Sequence, residues 1–308
     1  AIGDNAFKDC TALQNVNFAA MAKLESIGAY AFANTNLASF TAPAALKTLG
    51  NRAFNGTNSL MSVDLSAATL LEEIGEYAFT TAATANLNSV SLPQNGVLTT
   101  IGQHAFRYAK IETLQIPATV KTLGAYSFGN CTALKTITIG SETANSLLGS
   151  GDGAMDKNAF STCSALQSVT IYGNEKFVSE SGILYNKVAG ENGTFSYTLA
   201  IVPAKLSGDI TLKAGLTAVT AVFKSTNITS VIIPDSVASI AASAFSGCTQ
   251  LATVVIEGEL PANTPNSIFT GCTALSSVTY LGTTKLTNMK TILSNSKSTA
   301  ITLTVKDP

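Results

Sequence analysis

The residues able to carry acid–base, nucleophilic or metal chemistry are few and dispersed. His104 is the single histidine of the 308-residue chain. It follows Ile101-Gly102 at a variable position, where comparable segments have Glu76-Tyr77 or Ala125-Tyr126, which reads as a solvated turn residue rather than a catalytic base. Ser/His/Asp catalysis needs an imidazole aimed at one particular serine, and nothing selects such a pair. A glycosidase needs two carboxylates facing each other across about 5 to 9.5 Å, yet Asp64 stands alone early in the chain and Glu257 lies far along it. Gly149-Ser150-Gly151-Asp152-Gly153 lacks the Lys-Ser/Thr of a phosphate loop, and Asp152 with Asp156 supplies too few oxygens for a calcium loop. The five cysteines, Cys10, Cys131, Cys163, Cys248 and Cys272, are not clustered as metal ligands are. The expectation is a protein that is not an enzyme and has no cofactor and no metal.

The elements that would position these side chains follow from internal repetition. Ten phenylalanines, Phe7, Phe32, Phe54, Phe79, Phe106, Phe128, Phe160, Phe223, Phe245 and Phe269, recur mostly at intervals of 21 to 28 residues. That spacing is in the leucine-rich-repeat range and too short for two-helix repeats. Each copy starts with an apolar residue and usually Gly, and around the Phe its apolar groups fall at steps of three and four, as in a short helical turn. The period then changes. A six-residue segment beginning at Leu13, Leu37, Leu60, Leu87, Ile111, Leu134, Leu166, Ile228, Leu251 or Leu275 carries apolar residues at positions one, four and six, with only Ala42 weak, as a strand buried on one face requires. Pro43, Pro93, Pro117 and Pro234 then end strands, because proline cannot donate to a ladder. All five cysteines lie three residues after a repeat Phe, which predicts a column of small buried thiols, with Cys131–Cys163 and Cys248–Cys272 close enough to bridge as the alternative.

This pattern predicts a repeat solenoid of leucine-rich-repeat type: a parallel β-sheet on one face, short helical turns on the other, one β-hairpin interruption and a C-terminal cap. A single elongated domain spans 1–308, with seven repeats in 1–173, a hairpin-containing interruption in 174–216, three repeats in 217–281 and the cap in 282–308. An insertion from Ser141 to Ala154 reads as a flexible loop. The hairpin is read from Gly182 to Asn186 and Tyr197 to Pro203 flanking a polar turn at 190–193. The cap is read from Leu286, Met289, Ile292 and Leu293 at helical spacing, followed by alternating Ile301, Leu303 and Val305.

Charged residues make up 12% of the chain and the formal net charge is -1, so no electrostatic footprint for nucleic acid or an anionic membrane is present. No run approaches the roughly 20 apolar residues of a membrane span. What remains is the outward face of the sheet. Its third column is Asn15, Ser39, Ser62, Ser89, Thr113, Thr136, Ser168, Ser230, Thr253 and Ser277, and its fifth is Asn17, Thr41, Asp64, Ser91, Gln115, Thr138, Thr170, Ile232, Val255 and Thr279. Small hydroxyls suit a crowded solvated sheet; they also offer a flat surface for an extended partner. The candidate binding face is Thr113, Gln115, Thr136, Thr138, Ser168, Thr170, Tyr172, Ser230, Ile232, Thr253 and Val255. Ile232 and Val255, with Leu281 nearby, interrupt the polar column, either as a contact site or as a patch buried by the cap. Phe177, Tyr185 and Tyr197 form a candidate hairpin patch.

The run Ile-Gly-x-x-Ala-Phe-x-x-Cys-Thr-x-Leu-x-x-Val at Ile2 onward, echoed at Leu123 to Ile139 and Ile240 to Ile256, resembles the BspA-like leucine-rich repeat family. So do the strand-proline-turn link from Ile116 to Gly124 and the stretch Ser181 to Asn186 followed by Ile201-Val202-Pro203. The resemblance covers about residues 1 to 281. No leader opens the sequence at Ala1, so either the chain is cytoplasmic or a leader was removed. The resemblance, to a family of host-associated bacteria and some protozoa, implies the second: a secreted or surface-exposed mature fragment that binds a protein, a matrix component or another microbe. Glycan binding through exposed tyrosines is the alternative.

Overall fold

The computed structural model describes residues 1–308 apart from 262, 284–288, 297, 299 and 306–308. It is a parallel β-solenoid of leucine-rich-repeat type with about 12 turns and little helix. Its residues group into two compact units, Ala1–Leu166 with Ile171–Lys176, and Gln167–Thr170 with Phe177–Pro308. Repetition alone predicts one continuous core.

In the first unit, the outward-facing strands include Ser39–Thr41, Ser62–Asp64 and Ser89–Ser91, paired in parallel, and Thr113–Ile116 paired with Thr136–Ile139. Burial alternates as the repeat requires, with Leu114, Ile116, Ile137 and Ile139 inside. The face is therefore divided into short sheets rather than one long one. No strand forms over Leu13 to Phe18; Phe18 instead opens a 3-10 turn and packs edge-on against Phe32 and Phe40.

A second wall arises at the Ile-Gly and Leu-Gly positions. Ser26–Ile27, Thr48–Leu49, Glu73–Ile74, Thr100–Ile101 and Thr122–Leu123 form a five-stranded parallel sheet of two-residue strands. Glycine follows each of them because successive turns approach too closely for a side chain. A Cβ on Gly102 would sit 2.8 Å from the Glu76 backbone nitrogen.

The Phe-bearing wall carries consecutive turns rather than helix. At most turns the residue two before the Phe sits at positive φ, as do Tyr30, Arg52, Tyr77, His104 and Tyr126. Their amides donate to the next turn, as in Tyr77 N to Gln103 O at 2.8 Å, and the Phe amides do the same, as in Phe79 N to Ala105 O at 2.8 Å. The three- and four-residue apolar spacing reflects this alternation, in which hydrogen bonds between turns replace those a helix would make to itself. The repeat dictates a Phe stack. Adjacent rings from Phe32 to Phe128 lie 5.1 to 5.3 Å apart and within 14° of parallel, close to the ~4.8 Å spacing of paired strands.

In the second unit, Ser207–Thr211, Asn227–Ile233, Thr253–Ile256, Ser277–Tyr280 and Thr302–Val305 form a five-stranded parallel sheet in that order. The first of these is a regular turn of the array inside the stretch assigned to the interruption. It escapes the six-residue spacing because the pairing shifts register between Gly208 and Asp209. The antiparallel hairpin Ile183–Ala189 and Phe195–Ile201 is present, with Phe177–Glu180 as a third strand. A helix covers Met289–Ser294, with Met289 and Ile292 in the core; Leu286 lies outside the described residues.

Candidate binding face

The strands place the predicted face outward. Thr113 and Gln115 are exposed, and Thr136, Thr138, Ser168, Thr170, Tyr172, Ser230, Ile232, Thr253 and Val255 are half-buried. In the first unit Thr113 aligns with Thr136 and Gln115 with Thr138. In the second, Ser230 aligns with Thr253 and Ile232 with Val255, so the two apolar residues are neighbours. Thr302–Val305 extends this sheet beside Ser277–Tyr280, placing Thr304 next to Thr279; the strand does not lie over Ile232 and Val255.

Asp209 falls outside the six-residue strand spacing because of the same register shift. Its carboxylate accepts from Thr229 Oγ1 at 2.8 Å and Ser230 Oγ at 2.7 Å, and these hydroxyls, Ser230 first, hold it below the usual carboxylate range. It is fixed and negatively charged at one end of the second unit's face.

The hairpin patch does not form as expected. Tyr185 is fully buried and Phe177 nearly so. Alternation along Ile183–Ala189 sends Ile183 and Tyr185 together into the core. Burial raises the pKa of the Tyr185 phenol, and the Lys213 backbone amide opposes the rise. Tyr197 is half-buried and lies beneath Lys213, whose ammonium is 4.8 Å from the ring centroid and 2.8 Å from Glu180. The hairpin's exposed apolar side chains are instead Val188 and Phe195.

His104 is also not the solvated residue expected. It is 8% exposed and stacked between Tyr77 at 4.5 Å and Tyr126 at 5.2 Å. Burial lowers its pKa, Arg107 adds to the fall, and Glu76 opposes it. Arg52 continues the column, lying 4.6 Å from the Tyr77 centroid and donating to the Tyr30 hydroxyl at 2.7 Å. These rings cover one another, so the column presents edges rather than faces.

Among the cysteines, Cys131, Cys163, Cys248 and Cys272 are buried and free, while Cys10 is exposed. Each buried thiol reaches the Phe carbonyl one turn earlier: Cys131 to Phe106, Cys163 to Phe128, Cys248 to Phe223 and Cys272 to Phe245, at 3.0 to 3.4 Å. Thr57 does likewise with Phe32 at 3.0 Å, whereas Thr35 and Thr226 donate to the Phe carbonyl of their own turn and Ala82 and Ala109 occupy the same column without a side-chain donor. The neighbouring Cys163, then burial, raises the Cys131 pKa. Burial, followed by the neighbouring Cys248, pushes Cys272 up to about 12. Neutral buried thiols of this kind are poor nucleophiles. Among the described residues no group of three or more His, Cys, Asp or Glu side chains is arranged to hold a metal. No described helix is long and apolar enough to cross a membrane.

A family model described as BspA type leucine rich repeat region matches six copies across residues 1–95, 83–188 and 217–306. The chain belongs to that family. Solved structures similar to it include a leucine rich cell surface protein from Faecalibacterium prausnitzii A2-165, 23% identical, with 92% of this chain and 84% of the other covered and a TM-score of 0.46. A leucine-rich repeat protein from Bacteroides ovatus ATCC 8483 is 17% identical, with 85% and 74% covered and a TM-score of 0.45. The pneumococcal vaccine antigen PcpA is 14% identical, with 88% and 89% covered and a TM-score of 0.39. No curated protein matches the chain.

Proposed function

We propose that this chain is a non-catalytic binding protein, secreted or held at a bacterial surface, that uses its extended repeat face to contact a protein, a matrix component or another microbe. The observation that carries the reading is the face itself: outward hydroxyls at consecutive strands, interrupted by the paired half-exposed Ile232 and Val255. Solenoids commonly bind through such extended surfaces. The family supports the same class of role, and cell-surface location is in the name of the Faecalibacterium protein. The helix Met289–Ser294 and strand Thr302–Val305 act as the C-terminal cap, which the burial of Met289 and Ile292 supports.

The test is adhesion to immobilised collagen, fibronectin and laminin and to bacterial and epithelial cells. Two paired variants, Thr113→Lys with Thr136→Lys and Ile232→Asp with Val255→Asp, separate the two units' surfaces. A face role predicts that one pair lowers adhesion at least about ten-fold, the size of one lost contact of about 1.4 kcal/mol, without changing the melting temperature. Adhesion unchanged in both pairs sinks this reading. The second reading is a glycan-binding module; with Tyr185 buried and the Tyr197 ring beneath a lysine, it depends on Tyr172.

A further inference from the structure

The fate of each tyrosine ring singles out one. Tyr30 lies under Lys8 and Arg52, Tyr77 between Arg52 and His104, Tyr126 between His104 and Arg107, and Tyr108 under Arg107. Tyr197 lies under Lys213, and Tyr185 and Tyr280 are fully buried. Tyr172 alone is half-exposed with no stacked ring and no cation over it among the described residues.

Its backbone, by contrast, is clamped. The Tyr172 amide donates to Ile139 O at 3.0 Å and its carbonyl accepts from Ser146 N at 2.8 Å. The insertion read as a flexible loop is tied down beside it, since Asn174 Nδ2 donates to Ser146 O at 2.9 Å and to Leu148 O at 3.0 Å. Gly140 starts the loop at a φ of 75°, and its carbonyl accepts from Gln115 Nε2 at 2.6 Å. A groove of about 310 Å³ results, lined by Gln115, Thr138, Glu142, Thr143 and Tyr172 together with the loop backbone. The Glu142 carboxylate is exposed and has no partner among the described residues.

The geometry points to a carbohydrate subsite in this groove, taking one neutral sugar ring of a surface glycan. A pyranose has a face of C–H groups that packs on an aromatic ring and an edge of hydroxyls that both donate and accept. Tyr172 supplies the platform, Glu142 the acceptor, and Thr138 and Thr143 groups that do both. The depression is shallow and open to solvent, which suits a single ring lying on the surface rather than an enclosed ligand, and a clamped backbone reduces the ordering cost of binding. The inference rests on the glycan reading above and is independent of whether Ile232 and Val255 bind a protein.

The chain contains no tryptophan, so Tyr172→Trp provides a unique fluorophore on the platform. It is titrated with oligosaccharides ending in galactose, glucose, mannose, N-acetylglucosamine or N-acetylneuraminate, and with a lysine-rich peptide. The expected result is an emission change with at least one neutral-ended sugar. The same sugar, measured by calorimetry, should bind the wild type and Tyr172→Phe alike, and bind Tyr172→Ala and Glu142→Gln at least ten-fold more weakly while circular dichroism is unchanged. No response to any sugar, a response to the peptide or to N-acetylneuraminate alone, or sugar binding that survives Tyr172→Ala overturns the proposal. Adhesion lost through Ile232→Asp with Val255→Asp while sugars fail would leave the protein-binding reading standing and remove this one.

Discussion

Both units carry a phenylalanine column, but they differ two residues before the Phe at the five turns from Phe32 to Phe128. The first unit places Tyr30, Arg52, Tyr77, His104 and Tyr126 there, building a second stacked column outside the first. The second has Ala221, Ser243 and Ser267, and its Phe rings are more tilted, 30° between Phe223 and Phe245 and 21° between Phe245 and Phe269. The backbone imposes the inter-turn spacing, and flat side chains at a repeated position then become a stack. The inner column is required by the core; the outer one is an addition that only some turns carry.

Truncating the two columns separates these roles. Phe54→Ala in the first unit and Phe245→Ala in the second should each cost about 3 to 5 kcal/mol in urea unfolding, because both rings are fully buried. Equal stability of either variant with the wild type would remove the inner column as the core. Gly102→Ala should cost roughly 1 to 3 kcal/mol, since its Cβ would meet the backbone of the previous turn; Gly3→Ala, which meets nothing within 4 Å, is the control. Tyr77→Ala should cost about 0.5 to 1.5 kcal/mol through lost ring contacts, against a change within roughly 0.5 kcal/mol for Ser243→Ala in the second unit. If the two are equal, the outer column contributes nothing.

The smallest effect concerns pH. Because burial lowers the His104 pKa on folding, the folded state binds its proton less well than the unfolded chain. Its contribution is therefore present above the ordinary histidine value near 6.5 and lost as pH falls through the lower folded value. The melting temperature should fall more between about pH 8 and about pH 5 in the wild type than in His104→Tyr, which keeps a ring between Tyr77 and Tyr126. Identical slopes would mean that the imidazole is not shielded.

Much of the repeat was readable because its constraints are periodic. Leu134, Ile137 and Ile139 inward with Thr136 and Thr138 outward follows from a two-residue alternation that no neighbouring turn disturbs. The turn wall was not readable in the same way. Helical spacing and alternating positive-φ turns put Ala6, Phe7 and Cys10 at the same intervals, and only hydrogen bonds between turns tell them apart. The Cys column was placed by position, but its chemistry was hidden: a thiol and a threonine hydroxyl meet the same Phe carbonyl across a turn. For the candidate face, the columns at Thr113, Gln115, Thr136 and Thr138 were evident, while Asp209 was concealed by one shifted residue.

The amino-acid sequence by itself determined which residues face the core along each regular strand, because a six-residue apolar pattern repeated at near-constant spacing admits one register. The tertiary structure decided everything that depends on what lies opposite. It turned Tyr185 inward, since the hairpin strand packs on a core that its own sequence does not contain. It shielded His104 between two tyrosines contributed from neighbouring turns. It left Tyr172 with a free ring beside Glu142 and Gln115, because a tied loop and three separate segments meet there, and contacts between segments remote in sequence leave no periodic trace.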